Sequence, residues 1–479
     1  MSETLGEKSE KEAPVMDVEQ REARKVDVLM KGQRQETSAK VPEASMPEKA
    51  TQAEETRPRW GWVEAAVWTR RMLAALENGV KGGTWFSLVD KVYSRSNLER
   101  AFAKVKANRG GSGVDHVSVE EFGRHLDENL TKLQQQLKDG TYRPQAIRRV
   151  WIPKPGSRTE KRPLGIPTVR DRVAQTALRN VLEPIFENEF ADHSYGFRPE
   201  RGCKDALRRV VELLRRGYTH VVDADLKSYF DTIPKDRLQQ LVADKVADSR
   251  VLALIEGYLN QPVMEELKSW IPEEGTPQGA VISPLLANIY LNPLDHEMEG
   301  RGYEMVRYAD DLVILCRSRD EAEAALEALK SWTAATGLTL HPEKTRIVNA
   351  SERGGFDFLG YHFERDYRWP RKKSLQKLKD SLRVKTRRTS GISLKVIIEN
   401  CNRTLRGWFA YFKHSHQTTF LPLDKWLRMR LRSILRKRSK RKGRGRGRDH
   451  QRWPNAYFSK QGLFSLVAAR AALSQPTRG

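Results

Sequence analysis

GYEMVRYADDLVILCRS, residues 302–318, sets two aspartates, Asp310 and Asp311, side by side in an otherwise apolar, strand-like segment. It reads as a β-hairpin: MVRY is one strand, LVILC the other, and Ala309, Asp310 and Asp311 lie at or beside the turn. Aspartate favours turns for its own hydrogen-bonding reasons, so the doublet alone is compatible with ordinary turn chemistry. Its context has to separate a turn from a site.

A second acidic cluster lies in VVDADLKSYFD, residues 221–231. Read as a strand through Leu226, it places Asp223 and Asp225 on one face and Val222, Ala224 and Leu226 on the other. Carboxylates at the ends of two neighbouring strands can hold divalent cations that bridge the attacking and leaving oxygens of a phosphoryl displacement. Solvated acids at an exposed strand end are the plainer reading of the same pattern. A third stretch, GTPQGAVISPLLANIYLNPLD at 275–295, combines Gly275, Pro277 and Gly279 in a tight loop with the start of a helix. Such a loop lets the backbone approach a flat ligand, or is only a structural turn.

The 479 residues carry 86 Lys/Arg against 62 Asp/Glu, a formal net charge of +24. Residues 371–479 hold 30 basic and 4 acidic residues, whereas 61–370 balance at 45 and 45. The excess therefore belongs to the C-terminal part, and a polyanion, nucleic acid first, is the expected partner there. Cys203, Cys316 and Cys401 lie too far apart for a CxxC pair or a zinc knuckle, and a reducing, cytoplasmic setting is expected. No signal peptide is expected, and no apolar run reaches membrane length; AVISPLLANIYL is short and broken by Ser283, Pro284 and Asn288.

Residues 1–58, rich in Glu, Lys, Gln, Ala and Pro and without an aromatic residue, are expected to be disordered. From Asn97 two helices joined by a glycine loop are predicted, then a basic hairpin turned at Pro155 and Gly156. A helix follows with Val173, Ala177, Leu178, Val181 and Ile185 on one face. A further helix ends at Gly337. Strands and helices alternate without regular βαβ spacing, which predicts an α+β domain with an antiparallel sheet. Beyond Arg371 the pattern is helical and basic, with Leu427, Leu431 and Ile434 as the apolar side of one helix. The Gly-Arg run 440–448 is expected to be a flexible cationic linker.

In their order along the chain the three stretches resemble the reverse transcriptase palm: DLKSYF at 225–230 its first carboxylate motif, TPQG at 276–279 its template and nucleotide loop, and YADD at 308–311 its catalytic box. The resemblance implies a right-hand polymerase using two Mg²⁺ ions, with Asp225, Asp310, Asp311 and the Leu226 carbonyl as metal ligands. It implies further roles for Lys344 in LTLHPEKT as the acid that protonates pyrophosphate, for Lys161, Arg162, Arg172 and Gln278 around the dNTP, and for Phe230 as the gate against a ribose 2'-OH. FDFLGY at 356–361 resembles the primer grip, although core packing explains its aromatics equally well.

The flanks NLERAFAKVKANRGGSGVD, YRPQAIRRVWIPKP, RPLGIPTVRDRVAQ and SYGFRPERGC are similar to group II intron encoded proteins, and RGWFAYF with the basic tail resembles their maturase region. That family implies intron RNA, a DNA target and primer, and dNTPs as partners, and the HNH endonuclease of many members is expected to be lacking. The resemblance divides the chain into the N-terminal extension, fingers and palm over 59–370, a helical thumb or maturase domain over 371–435, and a basic DNA-binding region over 436–479. Trp408, Tyr411, Phe412, Trp426 and Trp453 are candidates for stacking on bases or for helical core packing. A reverse transcriptase co-opted for phage defence, and an RNA-binding splicing factor with the polymerase fold as scaffold, remain alternatives.

Overall fold

The structure is a computed structural model that describes residues 59–80, 82–153, 161–266, 268–443, 445 and 447–473. The expected disorder of 1–58 and the Pro155–Gly156 turn fall outside these residues. The chain divides into two compact units, with the boundary between Asp366 and Tyr367.

The first unit is built on two sheets. The strands β1 (Ile147–Pro153) and β2 (Lys161–Ile166) form the antiparallel basic hairpin, and β4 (Val263–Glu265) and β5 (Lys268–Trp270) extend it in the order β2-β1-β4-β5, with β4 parallel to β1. The second sheet has the order β6-β7-β3-β8, from Glu304–Tyr308, Asp311–Cys316, His220–Asp225 and Arg346–Asn349, and all of its pairs are antiparallel, as expected. Leu312, Val313, Ile314, Leu315 and Cys316 are all fully buried, so β7 is covered on both faces. Such a strand reads as a continuous apolar run rather than an alternating one. The helix Arg319–Ala335 packs on β3 and β7, and Gly337 follows its end at φ +75.

Two expectations change here. The helix Val169–Glu187 buries not one face but nearly its whole circumference, including Asp171, Gln175, Thr176 and Asn180. Its polar side chains are met internally: Tyr142 donates to Asp171 at 2.8 Å, and Asn180 donates to Asn97 at 2.8 Å. Helical periodicity cannot see partners that arrive from distant segments. The second helix after the glycine loop is broken at His125 into Val119–Arg124 and Leu126–Asp139.

The second unit is helical. Its helices Lys372–Lys385, Leu394–Phe412 and Phe420–Arg438 enclose a core of Leu378, Ile397, Leu405, Leu427, Leu431 and Ile434. Trp453, Phe458 and Leu466 belong to the same core, so one apolar interior runs across position 435. The Gly-Arg run departs from the expected flexible linker in its described residues. Gly445 is buried and donates to the Ser433 hydroxyl at 3.1 Å, and Arg436 donates to the Lys442 carbonyl at 2.7 Å and to Asp449 at 2.7 Å. A Cβ on Gly445 would stand 2.7 Å from that of Arg432, so glycine serves close packing here rather than mobility. Among the described residues no helix is long and apolar enough to cross a membrane.

Candidate active site

Asp225 ends β3 and Asp311 begins β7, and the two are directly paired across the strands; Asp311 is in turn paired with Tyr308 of β6. Directly paired residues project to the same face, so Asp223, Asp225, Asp311 and Tyr308 share one face. Ala224, Leu312 and Arg307 occupy the opposite, buried one. Asp310 sits with Ala309 in the two-residue turn, where Ala309 has φ +59, a value that glycine usually supplies. In the sheet it is Asp311 that stands opposite Asp225.

Electrostatics bind these groups together. Loss of hydration pushes the Asp310 carboxyl above its usual range; its own backbone N–H opposes the rise, the Asp225 charge adds to it, and Lys344 and Arg307 draw it down. Lys344 ion-pairs with Asp225. The segment carrying it is tied to the end of β3, since His341 N–H donates to the Asp225 carbonyl and Lys227 N–H to the Thr339 carbonyl, both at 2.8 Å. Those two bonds flank the Leu226–Leu340 bridge, so strand alternation turns the Leu226 carbonyl to the other edge, beyond the last pair Asp225–Asp311. Asp223 lies two residues back, paired with Arg346 at 3.3 Å, and burial pushes its carboxyl up to about 6 against the pull of Arg346.

The oxygen-only donor set fits a hard divalent cation by its chemistry, and the ammonium of Lys344 on Asp225 shows a place that draws positive charge. Among the described residues no group of three or more His, Cys, Asp or Glu is already gathered as a metal cage.

The glycine loop joins the same region. Thr276 N–H donates to the Phe230 carbonyl at 2.7 Å, Gly275 N–H to the Ile233 carbonyl at 2.9 Å, and the Gln278 side chain to Asp231 at 3.1 Å. On its other side the Gln278 carbonyl accepts from Gly165 of β2 at 2.6 Å. Gly279, at φ +104, would carry a Cβ 2.2 Å from the Gly165 carbonyl oxygen, so no other residue fits without moving that contact. Phe230 is half-buried beside Tyr229, whose hydroxyl donates to the Ala287 carbonyl at 2.6 Å.

Lys161 and Arg162 are exposed on β2. Arg172 is different: it is 9% exposed, its guanidinium donates to the Gly111 carbonyl at 2.6 Å, and desolvation lowers its pKa. It braces the glycine loop 110–113. FDFLGY forms a tight hairpin of β9 (Phe356–Phe358) and β10 (Tyr361–Glu364) turned at Leu359 and Gly360, both at positive φ, and Phe356, Phe358 and Tyr361 are buried.

In the helical unit Phe412 and Trp453 are core residues, whereas Trp408, Tyr411 and Trp426 keep part of their surface. Arg430 lies 5.4 Å over the Trp426 ring. Lys437, in the last turn of the helix Phe420–Arg438, and Lys440, Arg441 and Lys442 just beyond it are all exposed.

A model of the reverse transcriptase (RNA-dependent DNA polymerase) family matches residues 152–363, and one of the group II intron maturase-specific domain matches 375–453. Protein YkfC of Escherichia coli (strain K12) is 35% identical over 53% of this chain and 76% of its own length. The chain belongs to the group II intron reverse transcriptase and maturase family. Group II intron-encoded protein LtrA of Lactococcus lactis subsp. cremoris is 40% identical over 41% of this chain. An uncharacterized 91 kDa protein in the cob intron of Schizosaccharomyces pombe is 30% identical over 54% of it. The matches span only 32% and 39% of those two relatives. Within the family frame, the polymerase match contains the aspartates and the glycine loop, and the maturase match contains the helical unit as far as Trp453.

Several site features escaped the sequence reading. Arg307 looks like an exposed strand cation and is buried; Gly196 in SYGF looks like a loop glycine and packs against the aspartate turn. The signal available was an unpaired basic residue in an apolar strand.

Proposed function

We propose that this chain is the RNA-directed DNA polymerase of a group II intron, which copies RNA into DNA and binds its intron RNA to promote splicing and retromobility. The observation that carries the reading is the strand register that sets Asp225 opposite Asp311 beside Asp310, with the Phe230–Gln278 loop attached to the same region.

Asp225, Asp310, Asp311 and the Leu226 carbonyl would hold two Mg²⁺ ions. Bound there, the ions lower the pKa of the primer 3'-OH and offset charge on the phosphates. The chain's own residues do the rest. The primer 3'-OH gives its proton to solvent as its oxygen attacks the α-phosphorus of a dNTP and the bond to pyrophosphate breaks, while exposed Lys161 and Arg162 balance triphosphate charge. Lys344, held by the His341–Lys344 turn, gives its proton to the departing pyrophosphate. Gln278 and Phe230 shape the sugar pocket. Arg172 acts from behind, through the loop it braces. The FDFLGY hairpin, with buried aromatics, presents its turn to the primer end, and DNA target and intron RNA are bound through the basic helical unit.

Primer extension on poly(rA)/oligo(dT) tests this reading. Wild-type protein is expected to use dTTP and to reject UTP, and Phe230→Val to raise UTP use about 10-fold or more relative to dTTP. No extension by the wild type with either nucleotide contradicts the proposal. Gly196→Ala adds a steric test, because its Cβ would stand 2.3 Å from the Ala309 nitrogen and 2.9 Å from the Tyr308 carbonyl carbon. The displaced turn is expected to lower single-nucleotide incorporation about 100-fold, measured at saturating primer-template; an unchanged rate would show that the turn tolerates the shift.

A further inference from the structure

Arg307 lies on strand β6, three residues before Asp310, and faces the core instead of solvent. Both Arg307 and Asp295 are 0% exposed. The guanidinium spends its donors in three directions. Nε donates to Asp295 Oδ1 at 2.7 Å and Nη2 to Asp295 Oδ2; Nη1 donates to Asn288 Oδ1 at 3.0 Å and to the Ala309 carbonyl at 3.0 Å. Asn288 in turn donates through Nδ2 to the Gly196 carbonyl at 2.7 Å. The Arg307 backbone is pinned as well, giving its N–H to His193 at 3.0 Å and receiving that of Tyr195 at 2.9 Å.

The Ala309 carbonyl belongs to the residue forced to positive φ in the aspartate turn, and Gly196 is the residue whose bare Cα lets the neighbouring loop touch that turn. Stability gives little reason for an ion pair here, since well-packed apolar residues usually replace a buried pair without loss. A planar fork with five donors, however, can fix an anion, an amide and a carbonyl at once, which a point-charged lysine cannot.

We infer that Asp295, Arg307 and Asn288 are positioning residues, a buried clamp that holds the strained Ala309 turn so that Asp310 is presented to the divalent cations of the reaction. The inference rests on the polymerase reading above. The clamp touches neither substrate nor cation and acts through the backbone of Ala309 and Gly196.

The charge-balanced variant Asp295→Leu, Arg307→Met removes both ions together and leaves no unpaired buried charge. Full-length wild type, this variant and Asp225→Asn are compared by thermal melting, by Mn²⁺ binding followed by electron paramagnetic resonance without nucleotide or nucleic acid, and by kcat and KM for single-nucleotide addition. In a folded double variant the expected result is Mn²⁺ affinity and kcat each lowered about 10- to 100-fold, with KM for primer-template unchanged. Wild-type Mn²⁺ affinity and kcat in that variant overturn the inference and leave the clamp a purely structural element. If the double variant does not fold, Asn288→Ala decides: the ion pair stays, the amide tie is cut, and a drop in Mn²⁺ affinity of about 10-fold supports the clamp, while unchanged affinity overturns it. A wild type whose Mn²⁺ binding does not depend on Asp225 overturns the polymerase metal reading and the clamp together, an outcome distinct from failure of the clamp alone.

Discussion

Asp225→Asn is expected to lower the rate of DNA synthesis by at least about 1,000-fold, roughly 4 kcal/mol of transition-state stabilisation, with little change in melting temperature. The substitution keeps the shape of the side chain and removes its charge. Asp225 stands at the end of β3, and its ion-pair partner Lys344 is largely exposed, so loss of that pair costs the fold no more than about 1 kcal/mol. The backbone bonds that join β3 to the His341 segment do not involve the side chain and persist. Single-nucleotide incorporation and a thermal melt on the same preparation separate the two effects. A large fall in melting temperature would mean that Asp225 is a structural residue, and a rate within tenfold of wild type would remove it from the reaction.

The second large effect concerns binding. Replacing exposed Lys437, Lys440, Arg441 and Lys442 by Gln is expected to weaken RNA affinity and to flatten its dependence on salt. Each phosphate contact contributes about 0.7 to the slope of log K against log salt for single strands, so four contacts account for about 3 units of slope. Truncation after Leu435, the change that the charge distribution first suggests, is a poor test. It would withdraw Trp453, Phe458 and Leu466 from the core they share with Leu427 and Leu431 and so confound charge with folding. The four substitutions leave that core intact. A titration across salt concentrations with an unchanged slope would show that these cations do not touch phosphate.

Much of the fold was legible because its signals are local. The apolar runs on either side of the YADD turn give the hairpin, alternation in VVDAD gives the face of Asp223 and Asp225, and the apolar spacing of Leu427, Leu431 and Ile434 gives a buried helix side. What was not legible depends on tertiary pairing. The opposition of Asp225 to Asp311 is a register between strands 86 residues apart along the chain, and nothing in either segment alone sets it. Arg307 reads as a surface charge until Asp295 and Asn288 of the helix Ser283–Gly300 satisfy it. Arg172 reads as a free cation of the fingers until Gly111 takes its guanidinium. The Gly-Arg run reads as a linker because composition says nothing of the groove beside Arg432 and Ser433 into which Gly445 fits. In each case the missing information is a partner contributed from a distance.

The central claim is that the aspartates of the β6–β7 turn serve DNA synthesis, while the basic helical unit serves RNA binding. It is tested most directly by the full-length variant Asp310→Ala, Asp311→Ala, assayed for primer extension on poly(rA)/oligo(dT) with Mg²⁺ and for binding to a folded group II intron RNA. The account predicts that extension is lost and RNA affinity stays at the wild-type level; undiminished DNA synthesis by that variant would contradict it.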